Sequence, residues 1–130
     1  MEFEQETQEM VFSLSSLIKK IEQIYGLLKT ENGKGNLYFF KGGKEQDQAK
    51  DFEANISYKY AVAYFKNSLD SIGMANAYIS LGTLKKYDDA KLINNNNLYY
   101  LKSAYEIVNK LNYLRLYIRL QQAYISYYFT

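Results

Sequence analysis

Protein catalysis near neutral pH needs side chains that move protons, attack as nucleophiles or hold a metal, and this chain offers few of them. Its 130 residues contain no His and no Cys. The imidazole base, the thiolate nucleophile and the nitrogen and sulfur metal ligands are therefore all missing, which removes most hydrolase designs, helical ribonucleases that rely on an Arg and a His among them. Carboxylates remain: Asp47 and Asp51 stand at helical spacing and Asp88 and Asp89 are adjacent, so a Mg²⁺ site is conceivable. Solvated surface acids are the simpler account of both pairs. Neither Gly33-Lys34-Gly35 nor Gly42-Gly43-Lys44 continues into a phosphate-binding loop, because no Ser or Thr follows the Lys. The expectation is a protein that is not an enzyme, with no catalytic residue, no metal and no cofactor.

What the chain does offer is basic side chains set among aromatics. The pairs are Lys19 with Lys20, Lys59 with Lys66, Lys85 with Lys86, and Arg115 with Arg119. On helices a spacing of seven or four residues puts both members on one face, so Lys59/Lys66 and Arg115/Arg119 could each grip phosphates. Charge is also unevenly placed. Residues 1–10 carry four acids (Glu2, Glu4, Glu6, Glu9) and no base, whereas from Lys91 onward there are five bases and one acid. A basic surface of this kind neutralises phosphates with salt-sensitive, sequence-independent affinity. With 15 Tyr, 7 Phe and no Trp, rings such as Tyr113, Tyr117, Tyr124 and Tyr127 are available to stack on bases, although core packing claims most tyrosines in a small domain.

Helices must position these groups. Proline is absent, Val is scarce, and Ala, Leu, Lys, Gln and Glu recur, which favours helix over strand. Apolar residues at three- and four-residue spacing (Met10, Leu14, Leu17, Ile18, Ile21, Ile24, Tyr25, Leu28) predict an amphipathic helix over 5–29. Asn32-Gly33 and the later glycines predict a loop at 31–35 and a break at 42–43, with 37–40 as a short helical turn or anchoring loop. Further helices are expected over 46–71, ended by Gly73, then 74–87, 98–109 and 113–129, with a polar loop or helix entry at 94–97 and a joint at 109–112. The fold class is all-α, a single compact bundle of four to five helices in one domain spanning 1–130. The acidic start is unlike a secretion signal and no stretch reaches the roughly 20 apolar residues of a membrane span. A cytoplasmic, membrane-free protein is expected.

Three blocks of the sequence resemble the small helical subunit of type III-A CRISPR effector complexes. Ser16-Leu-Ile-Lys-Lys-Ile21 is similar to that family's early Ser-x-Ile-basic-basic-apolar helix, and Ile56-Ser-Tyr-Lys-Tyr-Ala-Val-Ala-Tyr64 to its central helix. Arg119-Leu-Gln-Gln-Ala-Tyr-Ile-Ser-Tyr-Tyr128 is similar to its closing basic-aromatic helix. Two places depart from the pattern: Ser68-Leu69 stand where the family has Gly-Arg, and Gln122 where Glu is usual. The resemblance implies a five-helix bundle that stacks in copies inside a ribonucleoprotein complex of antiviral defence. There it would line the guide and target RNA duplex without cleaving it. It also implies phosphate contacts at Lys19, Lys20, Lys59 and Arg119, to which helical spacing adds Lys66 and Arg115.

Two readings of the function follow. The first is a non-catalytic, RNA-contacting structural subunit whose partners are RNA, other subunits and further copies of itself, and it requires a continuous basic stripe. The second is a tetratricopeptide-like protein-interaction module, suggested by the small and aromatic residues of 75–82 and 99–111, which requires a tyrosine-lined groove instead. A third, a carboxylate-centred enzyme, would need a pocket around Asp47, Asp51 or Asp88.

Overall fold

A computed structural model of the chain describes residues 8–9, 13–17, 19–20, 23–24, 29–85, 87–88, 91–92 and 96–129, the two short pairs 87–88 and 91–92 by their backbone alone. Residues 1–30 and 31–130 form separate compact units. Within the first, the described residues between 8 and 24 are helical, and Leu14, Leu17 and Ile24 are each about half exposed. Met10, Ile18, Ile21, Tyr25 and Leu28, part of the stripe expected there, lie outside the described residues.

Among the described residues the second unit holds five helices: α1 (Glu31–Asp47), α2 (Asp51–Asn67), α3 (Ser71–Gly82), α4 (Asn97–Leu111) and α5 (Leu114–Phe129). The all-α class is as expected, with one helix more than four to five once the N-terminal helical residues are included. A minimal antiparallel ladder, β1 (Tyr87–Asp88) with β2 (Lys91–Leu92), pairs Tyr87 with Leu92 in the connection between α3 and α4. The packing is sequential. Each helix lies against the next, α1 also touches α3, and α5 returns onto α3.

The extra helix is α1, where the sequence predicted a loop and a break. Its glycines are not turns. A Cβ on Gly35 would come within 2.7 Å of the Phe65 ring, and one on Gly42 within 2.7 Å of the Tyr58 ring. Both rings are buried on α2, so glycine here admits a neighbouring helix at a distance that any side chain would prevent. The helix-propensity cost of glycine, about 1 kcal/mol each, is offset by burying two large rings at roughly 25 cal/mol per Å².

Gly73 is a second correction. It lies in the first turn of α3 and does not end the preceding helix. α2 stops at Asn67, Leu69 turns left-handed (φ 57°), and Asp70 caps α3 by accepting from the Gly73 N–H at 2.9 Å. The later expectations hold better. Asn96 caps α4 by accepting from the Tyr99 N–H at 3.1 Å, and Asn112, at φ 52°, closes it in the left-handed conformation that Asn tolerates.

The core runs as three neighbouring clusters. Ala75, Ile79, Leu101, Ala104, Val108, Leu116, Leu120 and Ala123 join α3, α4 and α5. Ala54, Tyr58, Leu81 and Leu84 join α2 to the end of α3. Ala61, Phe65 and Ala77 close the other end of that pair. Small residues on the inner faces of α2 and α3 let the helices approach closely. The buried volume comes from a few large side chains, Phe65, Ile79, Leu81, Leu101 and Leu120 among them.

Candidate nucleic-acid interface

The sequence of α1 from 32 to 44 carries Lys34, Lys41 and Lys44 and no acid, and that of α2 from 54 to 67 carries Lys59 and Lys66 and no acid. The antiparallel pairing, fixed by Gly35 against Phe65 and Gly42 against Tyr58, lays these two stretches side by side. Acids gather instead at the turn (Glu45, Asp47, Asp51, Glu53) and at the opposite end (Glu31, Asp70). Several of these are engaged. Asp51 is buried and accepts from the Lys85 N–H at 2.8 Å, Asp70 caps α3 and also takes the Asn32 amide at 2.7 Å, and Glu45 accepts from the Ser57 hydroxyl. Glu31 pairs with Lys34 at 3.9 Å.

Between the lysines lies a group of stacked rings. Tyr38 of α1 lies across Tyr60 and Tyr64 of α2, with centroids 5.1 and 5.6 Å away and planes inclined by 28° and 13°. Tyr38 leans on the Ala61, Phe65 and Ala77 cluster, while Tyr60 is 52% exposed. The lysines sit over ring faces: Lys34 Nζ is 5.7 Å from the Tyr64 centroid, Lys41 Nζ 6.0 Å from Tyr38, and Lys44 Nζ 5.2 Å from the exposed Phe40. The ring quadrupole holds each ammonium without neutralising it. Charge and π-surface therefore stand together at the surface.

The residues singled out by sequence fare differently. Lys59 and Lys66 are exposed on one face of α2, roughly 100° round the helix from Tyr60 or more. Arg115 is exposed on α5, whose contacts are chiefly with α3 and α4. Lys19 and Lys20 are exposed in the first unit. Lys85 is exposed next to the end of α3, and Lys86 lies outside the described residues. Lys34, Lys41, Lys44 and the three tyrosines were missed. Their signal, Lys34-Tyr38-Lys41 at i, i+4 and i+7, is visible only once 31–47 is read as a helix.

Arg119 is committed elsewhere. Its Nη1 donates to the Asn76 backbone oxygen at 3.1 Å and to Asn76 Oδ1 at 2.8 Å, and its Nη2 donates to Ser80 Oγ at 2.8 Å. Burial pulls the guanidinium below its usual pKa, a shift opposed by Tyr58. The chain of bonds continues inward. Ser80, itself buried, is hydrogen-bonded to the Tyr58 hydroxyl, which donates to Gln46 Oε1 at 2.9 Å, and Gln46 Nε2 donates to Thr83 Oγ1 at 3.2 Å. Burial raises the Tyr58 pKa against the lowering effect of its Ser80 bond. This relay ties α5, α3, α2 and α1 together, so the structure places Arg119 in the packing of the bundle and not among the exposed cations.

Among the described residues the carboxylates do not form a centre. Asp47 is exposed, Asp51 is buried on the Lys85 amide, and Asp89 lies outside the described residues, as does the side chain of Asp88. Among the described residues no three carboxylates gather as metal ligands, and no helix is long and apolar enough to cross a membrane. No family model, curated protein or solved structure matches this chain.

Proposed function

We propose that this protein is a non-catalytic structural subunit that contacts RNA through the α1–α2 face, within a complex of other subunits and further copies of itself. The observation that carries the reading is the pair of adjacent helical stretches bearing Lys34, Lys41, Lys44, Lys59 and Lys66 with no acid between them. Arg115 on α5 and Lys19 and Lys20 in the first unit would add phosphate contacts. The resemblance to the small subunit of type III-A CRISPR effectors supports the same role in antiviral defence, and a cytoplasmic location goes with it.

The test is a titration of the protein with RNA over a range of salt concentrations, comparing wild type with the Lys34, Lys41, Lys59 and Lys66 to Ala quadruple variant. Each phosphate contact contributes about −0.7 to the slope of log K against log salt for a single strand. Losing four should flatten the slope by about 2.8. A variant that folds and keeps wild-type affinity and slope overturns the reading.

A second reading has its own support. Helices that pack on their sequence neighbours, with α1 and α5 both also touching α3, have the sequential packing of a helical repeat, which suits a tetratricopeptide-like protein-interaction module. That reading takes the lead if wild type shows no salt-dependent RNA affinity.

A further inference from the structure

We infer that the Tyr38–Tyr60–Tyr64 group is a stacking site for the bases of a single-stranded nucleic acid, so that the α1–α2 face selects unpaired strands over duplex. The inference rests on the RNA-contacting reading and departs from the duplex-lining role that the resemblance implies. Lysines alone neutralise phosphates of any strand. The open ring surface of Tyr60, backed by Tyr38 and Tyr64, adds something that only an unpaired base can use, because in a duplex the base faces are already covered by their neighbours.

The arrangement fits that ligand in three respects. Tyr60 is 52% exposed in spite of its contact with Tyr38, which leaves ring surface open for another π-system. Tyr60 is held against Tyr38, 5.1 Å away and inclined by 28°, and Tyr38 is in turn stacked on Tyr64, so an incoming base meets an ordered ring and little side-chain entropy is left to lose. Lys34 and Lys41 flank Tyr38 along α1, seven residues and therefore about 10 Å apart. A strand whose base lies on the tyrosines would pass both ammonium groups with its phosphates. Leu37, Phe40 and Ile56 are also exposed on these two helices, but the two cations over the rings favour a polyanion over an apolar protein surface.

The experiment uses the full chain with three fluorescent probes: a ten-nucleotide oligouridine, its deoxythymidine counterpart and a ten-base-pair RNA duplex. Binding is read by anisotropy for wild type, the Tyr60→Leu/Tyr64→Leu variant and the lysine variant described above, each checked for helicity by circular dichroism. Wild type is expected to prefer the single strands. The tyrosine variant should weaken them by roughly fivefold or more and leave duplex affinity within about twofold. The ratio of uridine to thymidine affinity tells which sugar the site takes. A second readout needs no variant: 5-iodouridine in the single strand, irradiated on wild-type protein, should crosslink to peptides containing Tyr38, Tyr60 or Tyr64.

If the tyrosine variant binds single strands as wild type does, and crosslinks fall only outside α1 and α2, the inference is overturned while a lysine-dependent RNA affinity keeps the broader reading alive. If wild type binds none of the probes in a salt-dependent way, both fall together.

Discussion

Replacing Arg119 separates two roles that the sequence cannot distinguish, a phosphate contact and a structural tie. In Arg119→Met the stem survives while the guanidinium and its three donated bonds are lost. A hydrogen bond to a charged group contributes about 1.5–3 kcal/mol, but the three share one guanidinium and do not add. Two of them end on half-buried Asn76, where water can partly replace the donor. The third ends on Ser80, which is 2% exposed but keeps Tyr58 as a partner. The net cost should be about 2–3 kcal/mol, against which the Met side chain gains back some desolvation. Urea unfolding followed by circular dichroism measures it directly: the midpoint should fall with an unchanged m-value, and the melting temperature should drop by about 6–12 °C for a chain of this size. Arg119→Lys should recover little, since one ammonium cannot reproduce a planar fork aimed at two residues. RNA affinity of the folded fraction should stay near wild type. A variant of wild-type stability whose RNA affinity collapses would refute the reasoning and restore Arg119 as a ligand contact.

Two further outcomes follow from the same packing. Gly42→Ala should destabilise by about 1–3 kcal/mol, because its Cβ meets the Tyr58 ring at 2.7 Å and overpacking exceeds the gain in helix propensity. Gly43→Ala, where the nearest atom is the Tyr58 hydroxyl at 3.8 Å, should instead stabilise by about 0.5–1 kcal/mol, so paired urea midpoints of opposite sign check both. Alkaline pH gives the third. Burial raises the pKa values of Tyr58, Tyr78, Tyr100 and Tyr124, so above about pH 10 the unfolded chain loses phenolic protons that the folded chain retains. The stability these groups contribute is complete below pH 10 and is lost as pH rises toward their folded values. Tyr78→Phe should make the decline between pH 9.5 and 11 shallower in a pH series of thermal melts.

The sequence made α2 to α5 legible through apolar spacing, and at α4 the polar caps agree with that spacing. Asn96 and Asn112 stand where a cap and a left-handed terminus are needed, and Leu101, Ala104 and Val108 keep a helical period. It misplaced the joint between α2 and α3, since the left-handed position is taken by Leu69, 87% exposed, and not by Gly73. A non-glycine residue in that conformation costs about 1–2 kcal/mol and carries no local sequence mark. Lys59, Lys66 and Arg115 were found as exposed cations because spacing alone predicts their face. The bonds of Arg119 to Asn76 and Ser80 were not legible, because an arginine four residues from another looks the same whether its far end meets water or Asn76.

The loss of α1 and the loss of the tyrosine site have one cause. Glycine reads locally as freedom, yet at Gly35 and Gly42 it functions as absent volume whose value depends on rings some 16 to 30 residues away. Tertiary packing decides that such a segment is helical, and no window of its own residues can reveal this. Once the segment is helical, Tyr38 falls between Lys34 and Lys41, and the close approach permitted by the two glycines carries it across Tyr60 and Tyr64. The same absent methyl groups thus bring two helices together and assemble the aromatic face between them. Bulk added at Gly35 should therefore weaken stability and single-strand affinity together, whereas bulk at Gly43, on the same helix but clear of any ring, should leave affinity untouched.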